Sequence, residues 1–155
     1  MKKFNIENII FASSAAIYGN NLSEVPIKEN NVLCPISPYG KSKKLCENLI
    51  QKSNMHYCNL RFFNVSGATE YMGESHINEF HIIPLLVSCY LNNQTFYING
   101  QTFNSKDGTC VRDYVHVTDI ANSIYKSYIY LIKNYKQSLT LNAGSGIGVS
   151  NLELI

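Results

Sequence analysis

The chain has 155 residues and 45% apolar content, enough for one domain with a real core, and only 15% of its residues are charged. Its formal net charge of +2 is small and scattered, which argues against nucleic-acid binding and against a polybasic membrane contact. No apolar run approaches the roughly 18 residues of a membrane span, and the first residues lack the apolar stretch of a signal peptide.

The first half of the chain predicts a strand, a helix and a second strand, in that order. The apolar run over residues 9–14 is typical of a short buried strand. A polar stretch follows, and its two prolines hold the backbone extended before a helix that we predict over residues 39–54. Residues 57–63 predict the second strand. This order favours two parallel strands joined by the helix.

The second half continues the alternation of helices and strands. Ser150 and Glu153 have the spacing of a capping box that opens a further helix. The alternation favours an α/β fold with a mainly parallel sheet. The other predicted elements are a helix over residues 82–91, strands over 95–98 and 114–117, a helix over 118–132 with Thr118 as N-cap, and a strand over 139–142.

The cysteines and histidines predict neither a disulfide framework nor a metal site. The cysteines are odd in number and contain no Cys-x-x-Cys pair, and the histidines show no ligand spacing joined to a cysteine pair. We therefore expect free thiols in a cytoplasmic protein. The residues concerned are Cys34, Cys46, Cys58, Cys89, Cys110, His56, His76, His81 and His116.

Tyr39 and Lys43 are the first candidates for catalysis. They are four residues apart, so on a helix they share one face. A tyrosine has an ordinary pKa of about 10 and needs about three pKa units, or ~4 kcal/mol, to act as a base at neutral pH. A positive charge about 4 Å away at an effective dielectric near 20 supplies energy of that order. The pair alone is a weak motif, because an exposed helix start can contain it by chance.

Ser14 makes the pair more specific. It ends the first predicted strand, and the carboxyl ends of parallel strands form the crevice where open α/β sheets bind ligands. Ser14, Tyr39 and Lys43 together resemble the Ser–Tyr–Lys triad of the short-chain dehydrogenase/reductase superfamily, in its extended, sugar-nucleotide branch.

Longer segments resemble the UDP-glucose 4-epimerase family within that superfamily. Residues 60–68 resemble its Arg-Tyr-Phe-Asn-x-x-Gly-Ala segment, with Phe62 in place of the usual tyrosine. Residues 73–76 and 81–84 resemble its Gly-Glu-Asp-His and His-Leu-Ile-Pro blocks. Residues 107–119 match its Asp-Gly-Thr-Cys-Ile-Arg-Asp-Tyr-Ile-His-Val-x-Asp signature almost residue for residue. The resemblance extends from about Ile9 to Ile155.

The resemblance implies an NAD-dependent epimerisation at carbon 4 of a UDP-hexose through a 4-keto sugar. It implies a partial Rossmann-like, doubly wound parallel sheet with part of a smaller substrate-binding region, and a homodimer for the full-length enzyme. By matching positions, the catalytic residues are Ser14, Tyr39 and Lys43. The residues that contact the cofactor are Ser13, Tyr39, Lys43 and Phe63, and those that contact the substrate are Ser14, Asn64, His81, Ile82, Asn99 and Arg112. For Arg112, a surface ion pair with Asp113 or Asp119 is the alternative.

The resemblance also divides the chain into residues 1–66, half of an NAD-binding domain, and residues 67–155, an incomplete substrate-binding region interleaved with the last sheet elements. No glycine-rich phosphate turn precedes Ser14, so we expect a fragment whose cofactor-binding front is missing. The glycines of residues 144–148 have the wrong spacing for that turn and are interpreted as structural. An inactive remnant, a UDP-sugar-binding module and another nucleotide-sugar epimerase remain as alternatives. Dehydration is disfavoured, because Ala15 and Ala16 stand where dehydratases have acidic groups.

Overall fold

The main sheet has three parallel strands. The structure is a computed structural model that describes residues 4–20, 25–133 and 137–155. Strands β1 (Asn8–Ser14), β2 (His56–Phe62) and β5 (Leu139–Ala143) lie in the order β1-β2-β5. The register of β1 on β2 places each residue of Asn8–Ser14 opposite one of His56–Phe62. The prediction that residues 9–14 and 57–63 form neighbouring parallel strands is confirmed.

A smaller sheet lies beside the main one. It contains β3 (Asn64–Ser66), β4 (Val111–His116) and β6 (Gly148–Ser150), with β3 parallel and β6 antiparallel to β4. The predicted strand over residues 114–117 is the second half of β4. The predicted strand over residues 95–98 is wrong: no strand pairs with this segment in the described part of the chain, and its backbone is irregular.

Helix α1 (Pro38–Gln51) connects β1 to β2, with Pro38 in its first turn. Its N-cap is Ser37, whose Oγ accepts a hydrogen bond from the backbone N–H of Gly40 at 3.0 Å. Helix α1 ends three residues before the predicted position, where Ser53 Oγ bonds the carbonyl of Ile50 at 2.6 Å and a turn begins.

Helices α2 (Ile82–Leu91) and α3 (Val117–Lys133) lie in the second half. The predicted range of α2 is confirmed. The prediction of Thr118 as N-cap of α3 is wrong, because α3 already begins at Val117 and the Thr118 N–H donates to His116 Nδ1 at 3.3 Å. The two capping-box hydrogen bonds between Ser150 and Glu153 are present, at 2.9 and 3.1 Å, but residues 151–154 form a turn.

Helices α1 and α3 cover opposite faces of the main sheet. Successive side chains of a strand point to opposite faces. On β2, Cys58 contacts α3 through a hydrogen bond to Ser127 Oγ at 3.3 Å, whereas Arg61 contacts Glu47 of α1. The sheet is therefore wound on both sides, as the α/β prediction requires. A compact apolar core of Cys58, Leu60 and Leu131 lies under α3.

Helix α2 lies apart from this core. Its sequence is mostly apolar, yet none of its residues is buried, and the side chains of Tyr90 and Leu91 are 81% and 72% exposed. Among the described helices, none combines the length and the apolar character that crossing a bilayer requires.

Candidate active site

Ser14 lies at the carboxyl end of β1, where the chain enters a single 3₁₀ turn over Ala15–Ile17. Its Oγ accepts a hydrogen bond from the backbone N–H of Ala16 at 3.2 Å. A serine hydroxyl has one proton to donate in addition to the bonds it accepts. The Ala16 contact therefore fixes the oxygen and leaves its proton for a ligand.

Gly40 lets the first turn of α1 pack directly against the turn that follows Ser14. A Cβ at this position would lie 2.5 Å from the carbonyl oxygen of Ala16 and 3.0 Å from the side chain of Pro35. The backbone of α1 could not lie so close to the carbonyl of Ala16 if residue 40 carried a side chain. The glycine thus brings Tyr39 and Lys43 close to the end of β1.

Gly40→Ala should therefore destabilise the protein by about 1–3 kcal/mol, as overpacking of a tight contact does. In an open helix position the same change would stabilise by about 0.5–1 kcal/mol. Urea unfolding followed by circular dichroism measures the difference. Asn48→Ala, at an exposed position of the same helix, is the control and should be neutral or slightly stabilising. A more stable Gly40→Ala variant would contradict the close contact.

Lys43 reaches back from α1 to β1. Its Nζ donates to the carbonyl oxygen of Ala12 at 2.8 Å and lies 5.1 Å from the ring centroid of Phe11. It also lies 5.5 Å from the ring centroid of Tyr39, whose side chain is 55% exposed. The structure thus places the ammonium group of Lys43 beside both the tyrosine ring and the end of β1. Ser14 ends the same strand, although no hydrogen bond joins it to Tyr39 or Lys43 in the described part of the chain.

A buried ion pair lies next to these residues, and it was not among the predicted site residues. Glu47 of α1 and Arg61 of β2 are 1% and 3% exposed, and Arg61 donates from Nε and Nη2 to the two Glu47 oxygens at 3.1 and 2.8 Å. Burial alone would lower the pKa of Arg61, but the hydrogen bonds to Glu47 and Tyr18 outweigh it and raise that pKa. An arginine between the apolar Leu60 and Phe62 of a buried strand is the sequence signal that could have revealed the pair.

The ion pair is the centre of a hydrogen-bond network. Ser13 Oγ donates to Glu47 Oε1 at 2.5 Å, and Arg61 Nη1 donates to Tyr18 Oη at 2.7 Å. Tyr18 Oη in turn donates to Asn142 Oδ1 of β5 at 2.7 Å. Burial raises the pKa of Tyr18, although Arg61 opposes this effect. Since the Ser13 side chain points into the interior, a cofactor could contact Ser13 only through its backbone.

Asn64 and Arg112 lie on the smaller sheet. Asn64 is paired with Tyr114, so its side chain points to the same face as those of Tyr114 and Arg112. Asn64 Nδ2 donates to the backbone carbonyl of Asp113 at 3.1 Å. Arg112 is exposed, and its guanidinium Nη1 donates a hydrogen bond to the carbonyl of Val111 at 3.0 Å. The structure brings both predicted substrate residues to one open face.

The carboxylate of Asp113 is bound by Ser145 and Gly146, so it does not pair with Arg112. Its carboxylate accepts hydrogen bonds from Ser145 N, Ser145 Oγ and Gly146 N at 2.8, 2.7 and 2.8 Å. No ion pair joins Arg112 to Asp113 or Asp119 in the described ranges. The backbone N–H groups of the glycine turn already bind this carboxylate, which supports the interpretation of residues 144–148 as a structural turn.

The remaining predicted residues are spread over the surface. Phe63 follows β2, donates its N–H to the carbonyl of Ala143 at 3.1 Å and packs so close to Gly144 that a Cβ there would lie 2.9 Å from its ring. His81 is the N-cap residue of α2, followed by Ile82. Asn99 is exposed, and no hydrogen bond links it to the other predicted residues within the described part of the chain.

A cleft between β5 and α3 contains none of Ser14, Tyr39 and Lys43. It has a volume of about 420 Å³ and is lined mainly by β5 and α3, including Leu139, Leu141, Ile120 and Tyr130. Ser14, Tyr39 and Lys43 instead lie in an open position at the sheet edge. We base the site on the contacts that Lys43 makes with Tyr39 and with β1, because an enclosed volume alone carries no chemistry.

Comparison with protein families connects this geometry to a known group. The model of the NAD dependent epimerase/dehydratase family matches residues 1–138. A curated relative, the UDP-glucose 4-epimerase of Lacticaseibacillus casei, is 40% identical over 162 aligned residues, which cover 100% of this chain and 48% of the relative. The chain thus spans about half the length of the curated relatives it matches.

Solved structures agree with the family match. A UDP-glucose 4-epimerase from Stenotrophomonas maltophila, with bound NAD and formylated UDP-arabinopyranose, superposes with a TM-score of 0.89 at 31% identity, over 99% of this chain and 48% of that one. One from Bifidobacterium longum, in complex with NAD⁺ and UDP, gives a TM-score of 0.84 at 32% identity and the same coverage.

Proposed function

The chain belongs to the NAD dependent epimerase/dehydratase family, and on that premise we propose that it carries the catalytic centre of a UDP-glucose 4-epimerase. The reaction would interconvert UDP-glucose and UDP-galactose at carbon 4. The observation that carries the proposal is the position of Lys43 Nζ, which lies beside the Tyr39 ring and bonds the carbonyl of Ala12, two residues before Ser14 on β1. Activity of the whole enzyme belongs to a protein about twice as long.

Tyr39 would remove the proton from the 4-hydroxyl of the hexose. The positive charge of Lys43, whose Nζ lies 5.5 Å from the Tyr39 ring centroid, would favour this proton transfer. Ser14 Oγ, held by the N–H of Ala16, would donate a hydrogen bond to the same sugar oxygen and keep this oxygen aligned. When bound, NAD supplies the acceptor for the hydride that leaves carbon 4. Proton removal and orientation are thus assigned to separate side chains.

The described residues fit a nicotinamide cofactor at this edge. An ammonium group has three donors, and Lys43 uses one of them on Ala12, so two remain for ribose hydroxyls. Phe63, at the end of β2, would line the same crevice, and Ser13 would contribute backbone atoms.

Arg112 and Asn64 would anchor the UDP while the sugar ring turns over. A diphosphate is held best by a guanidinium group, which forms two parallel hydrogen bonds. Arg112 is exposed and without an acidic partner in the described ranges, and it shares a face with Asn64. His81, Ile82 and Asn99 would complete the nucleotide contacts from the start of α2 and the segment after it.

Two alternatives have specific consequences. An inactive remnant or UDP-sugar-binding module would bind UDP but show no turnover when completed. Another nucleotide-sugar epimerase would prefer a different hexose, such as an N-acetylated one.

We also propose the division into residues 1–66 and 67–155, and a homodimer for the complete enzyme. We propose a cytoplasmic location because the five cysteines are free.

The chain alone is expected neither to retain NAD nor to convert UDP-galactose. No partner strand covers the free edge of β1 among the described residues, and no phosphate turn precedes Ser14. Joining the chain to the flanking segments of the Lacticaseibacillus casei relative gives what we call the completed protein, which should regain both properties.

Calorimetry with NAD and a coupled assay with UDP-galactose measure the two properties. Stoichiometric NAD binding or turnover by these 155 residues alone would show that the flanking segments are not needed for these two properties. A completed protein that binds UDP and NAD but shows no turnover would favour the inactive alternative.

A further inference from the structure

Four side chains with metal-binding donors lie together in the irregular segment before α2. Glu74, His76, Glu79 and His81 each offer one ligand atom, and these atoms all lie within 4.8 Å of one another. The sequence analysis expected no metal because the histidines lack a cysteine pair. Here carboxylates take the place of the thiolates, within a stretch of eight residues.

The separations between the donors have the size of a four-coordinate site. With bonds of about 2.0–2.1 Å, two ligands of a tetrahedral zinc ion lie about 3.3 Å apart. His76 Nδ1 lies 3.1 Å from Glu74 Oε1 and 3.6 Å from Glu79 Oε2, and His81 Nδ1 lies 3.5 Å from Glu79 Oε1. His81 Nδ1 also contacts Glu74 Oε1 directly. The cluster therefore needs only small side-chain adjustments to surround an ion.

Neighbouring groups orient the donors. The backbone N–H groups of Phe80 and His81 donate to Glu79 Oε1 at 2.8 and 2.7 Å, which fixes that carboxylate and leaves Oε2 toward His76. The Phe80 ring stacks on His76 at 5.6 Å and contacts His81 at 4.5 Å between centroids. Such supporting contacts fix the orientation of metal ligands in known sites.

We propose that Glu74, His76, Glu79 and His81 form a binding site for a divalent transition-metal ion of the zinc type. Two imidazoles and two carboxylates suit zinc better than magnesium or calcium, which prefer oxygen alone. Two carboxylates with neutral imidazoles balance a charge of +2. Both histidine side chains are about half exposed, at 47% and 51%, so the ion reaches the site without opening the fold.

The role of the ion is structural, because all four tetrahedral positions are taken by protein ligands. Its effect would be to tie residues 74–81 to the first turn of α2. The chain itself provides every ligand. His81, which the proposed function also places beside the nucleotide, would bind the ion through Nδ1 and keep Nε2 for that contact.

Titration of the 155-residue chain with Co²⁺ tests the proposal, since four-coordinate Co²⁺ absorbs visible light far more strongly than hydrated Co²⁺. We expect one equivalent of Co²⁺ to produce this absorbance and one equivalent of Zn²⁺ to abolish it. His76→Asn and Glu79→Gln should each lower Zn²⁺ affinity by about tenfold or more. His56→Gln, at the start of β2 and outside the cluster, should bind as the parent does.

Circular dichroism of each variant verifies that the fold is unchanged, and either ligand variant suffices if the other misfolds. Parent-like binding by both ligand variants would overturn the proposal. So would an equal loss in His56→Gln, or a weak, octahedral spectrum that reports adventitious surface binding. No binding to the folded parent chain would overturn the proposal and leave the cluster as a set of side-chain contacts without an ion.

Discussion

In the completed protein, Tyr39→Phe is expected to lower turnover of UDP-galactose by about 10²- to 10⁴-fold, the range that a positioned general base contributes. The change removes one hydroxyl and keeps the ring beside Lys43. Because the base acts in the chemical step, UDP binding should change little. Initial rates in the coupled assay and calorimetry with UDP measure the two quantities.

Tyr125→Phe is the matched control. Tyr125 is also exposed on a helix, with 63% of its surface accessible, but it lies on α3, which covers the face of the sheet opposite to α1. It should keep parental turnover. Equal rates in the Tyr39→Phe variant and the completed parent would remove Tyr39 from the mechanism.

Glu47→Gln is expected to destabilise the completed protein by about 3 kcal/mol or more. The change leaves the Arg61 guanidinium buried without a counter-charge, and breaking one side of a buried ion pair typically costs about 3–5 kcal/mol. It also weakens the bond that Ser13 donates, next to Ser14. Urea unfolding of the completed protein measures the free energy.

Two further variants separate charge from packing. Glu47→Leu combined with Arg61→Met should recover much of the loss, since apolar residues of similar volume often replace a buried pair at little net cost. Glu70→Gln, at an exposed position, should change stability by less than about 0.5 kcal/mol. A Glu47→Gln variant as stable as Glu70→Gln would show that the pair is dispensable.

The sequence predicted β1 because this strand contains a short apolar run, residues 9–12, that ends in two serines, as is typical of a short buried strand. The prediction of a strand at residues 95–98 failed because no neighbouring strand in the described part of the chain pairs with the backbone of this segment, whatever its β propensity. The cap of α3 was also misplaced: a histidine ring at the end of β4 supplied the acceptor that Thr118 was expected to provide.

The candidate site was predictable to the extent that it is local. Tyr39 and Lys43 are a helix-period pair, and Ser14 ends a recognisable strand. The Glu47–Arg61 pair joins residues of different elements, so only the fold reveals which acid neutralises the arginine. Likewise, the Gly40 contact depends on the distance between α1 and the turn after Ser14, which spacing in the sequence does not encode.

The hydrogen bond from Lys43 to Ala12 has a thermodynamic consequence for ligand binding. Immobilising a long side chain at an interface typically costs about 0.5–1.5 kcal/mol of conformational entropy. Lys43 is already ordered by the Ala12 carbonyl and by the rings of Phe11 and Tyr39, so this entropy is lost during folding. The proposed contact with the cofactor ribose would therefore avoid this part of the entropic cost of binding.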